Sequence, residues 1–208
     1  MKHPVAALAA TLLSGCAGGL HSSAPPVQAY VLRAHAPAPL PSGAPVGSVR
    51  IARPTPAPGL ESDHIVILQP DQRLGFYAAS RWAAALPDVL ESLAVQTFRG
   101  SGGFRLVEGS RAAFPTDYLL QITVRRFEAD YAEQSGAPVI HVTLDCLLGR
   151  QSTRQLVATF VAESSEKAAA NRLGSVVAAF EQAADAALAG AAEQSASAIR
   201  TATARASP

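Results

Sequence analysis

A chain of 208 residues is long enough for one domain with a real core, even after removal of a short leader. Its 17 basic and 16 acidic residues leave a formal net charge of +1, so there is no field to gather nucleic acid or an acidic substrate.

Met1-Lys2-His3 is a short, weakly positive start, and Pro4 through Leu13 is apolar or small. The run has the length of a signal peptide's hydrophobic region and falls short of the roughly 20 residues that span a bilayer. It ends in Leu13-Ser14-Gly15-Cys16, which resembles a lipobox. The expectation is cleavage after Gly15 and lipidation of Cys16 by an S-diacylglycerol and an N-acyl chain. Each buried CH₂ contributes about 0.8 kcal/mol, so several acyl chains anchor where one would not. An ordinary secretory signal with a chance cysteine explains the order and position of these residues less well. If Cys16 carries lipid, Cys146 has no partner and is expected as a buried apolar residue.

Residues 16–45 are rich in Ala, Pro, Gly and Ser and read as a flexible tether, with an apolar island at Tyr30-Val31-Leu32 that could form an edge strand. Val46 to Arg53 and His64 to Leu68 are strand candidates. A helix is expected from about Ser80 to Phe98, with Ser80 as N-cap and Trp82, Leu86, Leu90 and Leu93 near a helical spacing. Pro87 either starts this helix or kinks it. Phe104 to Val107 is a short strand. Leu120, Ile122 and Val124 alternate with polar residues, as do Ile140, Val142, Leu144, Cys146 and Leu148. With Leu156 to Ala162 they predict an antiparallel meander, bulged between Val124 and Phe127. A last helix is expected from Ala168 to Gln194, and 195–208 reads as a flexible tail. The fold class is therefore α+β: an antiparallel-dominated sheet packed with two main helices, in a domain spanning 46–194, behind a leader (1–15) and tether.

Several of these segments resemble the ABC-type transport auxiliary lipoprotein family, whose best-known member is paraquat-inducible protein C. The resemblance runs through Cys16, Tyr30-Val31-Leu32, Val49-Arg50-Ile51 before Pro54, and Leu60-Glu61 before Ile65-Val66. It is most specific at Tyr77, followed by Arg81-Trp82 and Leu86, and returns at Asp117-Tyr118-Leu119 and Phe127-Glu128. Two departures stand out. The family's acidic residue and Pro between Trp and Leu are Ala84-Ala85 here, and Ile67-Leu68-Gln69 replaces its tyrosine-like and basic residues. The resemblance implies a non-enzymatic subunit without cofactors, beside an MCE-domain (mammalian cell entry) protein and an ABC permease and ATPase that move lipids or other hydrophobic molecules. It implies a lipid anchor in the membrane, and the assembly could include a homo-oligomer of this chain. Ala17, not Asp, after Cys16 fits the periplasmic face of the outer membrane by the enteric sorting rule.

The residues themselves offer little chemistry. No nucleophile elbow, P-loop or paired metal-spaced His occurs. His141 beside Thr143 and Asp145 reads better as solvated or structural than as half of a catalytic pair. Gly100-Ser101-Gly102-Gly103 reads better as a turn than as an anion cradle. Arg125-Arg126 reads as a solvated strand edge. Trp82 is expected to anchor the first helix on the sheet while Arg81 meets a carboxylate. The other reading places the pair on a partner surface, where Trp and Arg are enriched. Two further functions stay open: a periplasmic lipid carrier holding an acyl chain under the Ala-rich last helix, and an envelope-assembly lipoprotein unrelated to transport.

Overall fold

The computed structural model describes residues 26–35, 44–132 and 136–206; Gly15 and Cys16 lie outside them. One strand, β7 (Tyr118–Asp130), organises the sheet. Its core-facing Leu120, Ile122 and Val124 are buried, and so, after a bulge that skips Arg125, are Phe127 and Ala129. The bulge falls where the alternation breaks in sequence. On one side β7 pairs antiparallel along its length with β8 (Val139–Arg150), and β8 pairs likewise with β9 (Gln155–Lys167). This is the expected meander, and every second residue of β8 from Ile140 to Leu148 is buried.

The other side of β7 is shared by three short strands laid end to end and parallel to it: β2 (Val46–Ile51), β3 (Thr55–Pro56) and β4 (His64–Leu68). The sheet then forks. Beyond β2 lies β6 (Phe104–Glu108); beyond β4 lie β5 (Leu74–Trp82) and the edge strand β1 (Gln28–Tyr30). Among the described residues parallel pairings are more numerous, but they are short. The three antiparallel ladders hold most of the paired positions, so the α+β, antiparallel-dominated expectation stands.

Among the described residues two helices, α1 (Leu86–Gly100) and α2 (Leu173–Ala206), complete the fold. α2 packs across β8 and β9 and touches α1. Its Ala179, Ala183, Ala187 and Ala191 are buried at the spacing of one helical face.

Three expectations need correction. The first helix does not begin at Ser80. Ser80 to Trp82 pair with β1 as the end of β5, and the amides of Trp82, Ala83 and Leu86 donate to the carbonyls of Asp63, Tyr30 and Ser62. The chain becomes helical only once those bonds are made. Pro87 then sits in the first turn, where a missing N–H costs nothing. The tail beyond Gln194 is not frayed. α2 runs to Ala206 with Ser195, Ala196 and Ile199 buried, because an alanine-rich stretch is a strong helix former even where its apolar stripe is faint. Finally, Arg125-Arg126 lies on a central strand rather than an edge. Arg125 meets Asp145 at 3.4 Å and Arg126 meets Glu128 at 2.6 Å.

Candidate functional site at the junction of β5 and α1

The four residues singled out between Tyr77 and Leu86 are brought close together but given different environments. Trp82 is 1% exposed, and its indole meets the rings of Phe180 at 5.2 Å and Phe127 at 6.1 Å, both edge-on. Phe127 and Phe180 stack on one another at 5.0 Å, closing a three-ring cluster that ties β5, β7 and α2. Leu86 is 2% exposed. Trp82 and Leu86 therefore hold the core and present nothing to a partner.

Tyr77 is half-buried. Its hydroxyl lies 2.6 Å from that of Tyr131, which donates to Asn171 Oδ1 at 2.8 Å. Burial, and then the bond to Tyr131, push the Tyr77 hydroxyl far above its ordinary range, so it stays protonated. Arg81 is the one exposed residue of the four, with a loose contact to Asp63 at 3.4 Å. That is the carboxylate partner expected for it.

Beside Arg81 lies a feature that composition concealed. Ala29 of β1 is the register partner of Arg81, so Val27, Ala29 and Val31 alternate onto the face that Arg81 shares. Val27 and Val31 are 58% and 59% exposed. After β1 the chain crosses α2 as a strap. Leu32 is buried, the Arg33 amide donates to Glu181 Oε1 at 2.9 Å, and His35 reaches Asp185 through its amide and its ring. The signal available in sequence was the apolar island alone; acids 148 and 150 positions away could not be foreseen as its clasp.

Among the described residues no catalytic constellation emerges from the histidines. His141 bonds Ser165 Oγ at 2.7 Å, and its neighbouring acid is Asp130 at 3.8 Å rather than Asp145. Burial, and then Arg126, hold its pKa below the ordinary value against the pull of Asp130 and Glu128. His64 bonds Ser62 and packs tilted against the Phe76 ring. Among the described residues no group of three His, Cys, Asp or Glu side chains could hold a metal ion. Cys146 is buried, and its thiol is pushed up to about 12 by burial and by Asp145. Ser101 bonds the Phe98 carbonyl and receives the Gly103 amide, with Gly102 at φ +66, so the glycine-rich segment is a closed helix-to-strand turn. Among the described residues no helix is long and apolar enough to cross a membrane.

The fold is similar to that of protein XCC0632 from Xanthomonas campestris, with a TM-score of 0.78 and 26% identity over 85% of this chain and 99% of that one. A second solved structure, of an uncharacterized protein, matches with a TM-score of 0.57 and 19% identity over 79% and 95% of the two chains. A PelC dodecamer from Paraburkholderia phytofirmans matches more weakly, with a TM-score of 0.42 and 17% identity over 72% and 92%. No curated protein matches. The family model for the ABC-type transport auxiliary lipoprotein component matches residues 30–192, most of the chain and nearly all of the described fold. The chain belongs to the ABC-type transport auxiliary lipoprotein family.

Proposed function

We propose that this chain is a non-enzymatic accessory subunit, anchored through lipid on Cys16 at the periplasmic face of the outer membrane, that docks an MCE-domain protein served by an ABC permease and ATPase. The family match over residues 30–192 carries this reading. ATP hydrolysis belongs to another chain in such a system, and no side-chain cluster described above competes as a catalytic centre. The exposed face formed by Val27, Val31 and Arg81 is the surface on which we place the partner. It combines uncovered apolar area with an accessible guanidinium, the pairing favoured at protein interfaces. The two valines of this face lie within the 16–45 segment that begins at Cys16, so docking there would couple the partner directly to the membrane anchor.

A photo-crosslinking amino acid at Val31 of the full-length protein in its native envelope tests this reading. Crosslinks to an MCE-domain protein, reduced by Arg81→Glu, are the expected result. Intact assembly and unchanged envelope lipid transport in a deletion strain, with no MCE-domain protein captured, would sink it.

A further inference from the structure

A cavity of about 600 Å³ opens where the last turns of α2 meet the starts of β2 and β7 and the end of β8. Its volume falls within the roughly 300–1,000 Å³ of small-molecule pockets. Three arginines from three separate elements line it: Arg105 of β6, Arg150 of β8 and Arg200 of α2. Asp117, the one acid in the lining among the described residues, is already engaged. Its Oδ2 accepts from the Ser48 amide and hydroxyl, both at 2.8 Å, and from Arg105 at 3.0 Å. Gly47 permits this arrangement: a Cβ there would meet Asp117 Oδ2 and the Tyr118 ring at 2.9 Å. Arg150 lies over the Tyr118 ring, 5.2 Å from its centroid, and neither Arg150 nor Arg200 meets a carboxylate among the described residues.

Three guanidinium groups against one carboxylate leave a surplus of two positive charges. That outweighs the partial charge of about −0.5 at the C-terminal end of α2. Val46 and Ile199, both buried, add apolar side chains to the lining. A cavity lined by arginines beside apolar side chains is matched by an anionic group carried on an organic body, and planar guanidinium forks match the oxygens of a phosphate.

We propose that this cavity binds the phosphate group of an organic phosphate ester, with Arg150 and Arg200 as its main contacts and the organic part resting on Val46 and Ile199. The site is remote from the Val27–Val31 face in the sequence of pairings, and the proposal does not rest on the docking reading.

The test is isothermal titration of the full-length protein in neutral detergent with inorganic phosphate, sn-glycerol 3-phosphate and dihexanoyl phosphatidylglycerol. Saturable binding of an organic phosphate, tighter than that of inorganic phosphate, is expected. Arg150→Gln with Arg200→Gln should weaken it about tenfold or more, the scale of losing hydrogen bonds to a charged group. Arg73→Gln with Arg125→Gln, which removes the same charge elsewhere, should not. Arg200→Gln alone, at an exposed helix position, keeps the test independent of any folding defect from Arg150. Tighter binding of the phosphatidylglycerol supports the proposal with a lipid headgroup as the source, and equal binding of the two esters supports it with a soluble ester. Absence of binding, inorganic phosphate binding as tightly as either ester, or indifference to the Arg150 and Arg200 variants overturns it.

Discussion

His35 and Asp185 lie 150 residues apart in sequence and 2.6 Å apart in space, the imidazole Nδ1 on the carboxylate Oδ2. The His35 amide donates to the same oxygen at 3.1 Å. The strap is thus held to α2 by two carboxylates, Asp185 on His35 and Glu181 on Arg33.

That arrangement makes the strap separable from the fold. Asp185→Ala removes the acceptor for two bonds, each to a charged group and each worth about 1.5–3 kcal/mol where water cannot replace it. His35 is largely exposed, so water recovers much of that and global stability should fall by no more than about 1 kcal/mol. The local effect is larger. Hydrogen exchange of residues 26–35 should accelerate markedly, while β7 and β8 keep their protection. Unchanged exchange in the strap would mean that Leu32 and the β1 ladder hold it without the clasp.

Trp82 and Arg81 are adjacent and should behave oppositely. Trp82→Ala opens the three-ring cluster and should cost about 3–5 kcal/mol, read from urea unfolding by circular dichroism. Arg81→Ala touches only a loose surface pair and should stay within about 0.5 kcal/mol, read by the fluorescence of the single Trp. A large stability loss in Arg81→Ala would show that its contact with Asp63 is structural, and would remove the case for an accessible docking residue.

The meander was readable because β7 and β8 bury one face only, so alternation survives in the residues; the same holds for the apolar stripe of α2 down to Ala191. Trp82 lies in the core as expected, but on β5 rather than on the expected helix. The span from Ser80 to Leu86 carries helix-compatible spacing, and what makes its first part a strand is pairing with β1, some fifty residues upstream. Distance in sequence also hid the strap, whose partners Glu181 and Asp185 lie 148 and 150 positions further along the chain. The Arg105, Arg150 and Arg200 cluster was invisible for the same reason: it comes from three elements, none of them unusually basic.

Cys146 should ignore thiol reagents in the native protein at pH 8 and react on unfolding. Its folded pKa is raised from about 9 to about 12, so the folded state holds the proton that the unfolded chain releases first. The contribution to stability is therefore complete below pH 9 and is lost as pH rises from about 9 toward 12. Cys146→Ala should flatten that part of the pH–stability curve. Rapid labelling of the native protein at pH 8 would contradict the burial of the thiol.

The end of α2 gives the sharpest contrast between the two pictures of the C-terminus. If residues 195–206 were frayed, neither Ile199→Ala nor Ser197→Pro would matter. In the structure Ile199 is 2% exposed, and truncating a buried isoleucine costs about 2–5 kcal/mol. Ser197 is exposed but lies inside the helix, where proline removes a backbone hydrogen bond and clashes with the preceding turn, costing about 3 kcal/mol or more. Both variants should lower the urea midpoint with little change in its slope, because the surface exposed on unfolding is nearly the same. Because Ile199 and Arg200 also line the arginine-rimmed cavity, Ser197→Pro should weaken organic phosphate binding as well, whereas Trp82→Ala, when folded, should not. Equal loss of binding in both would mean that the cavity reports only global stability.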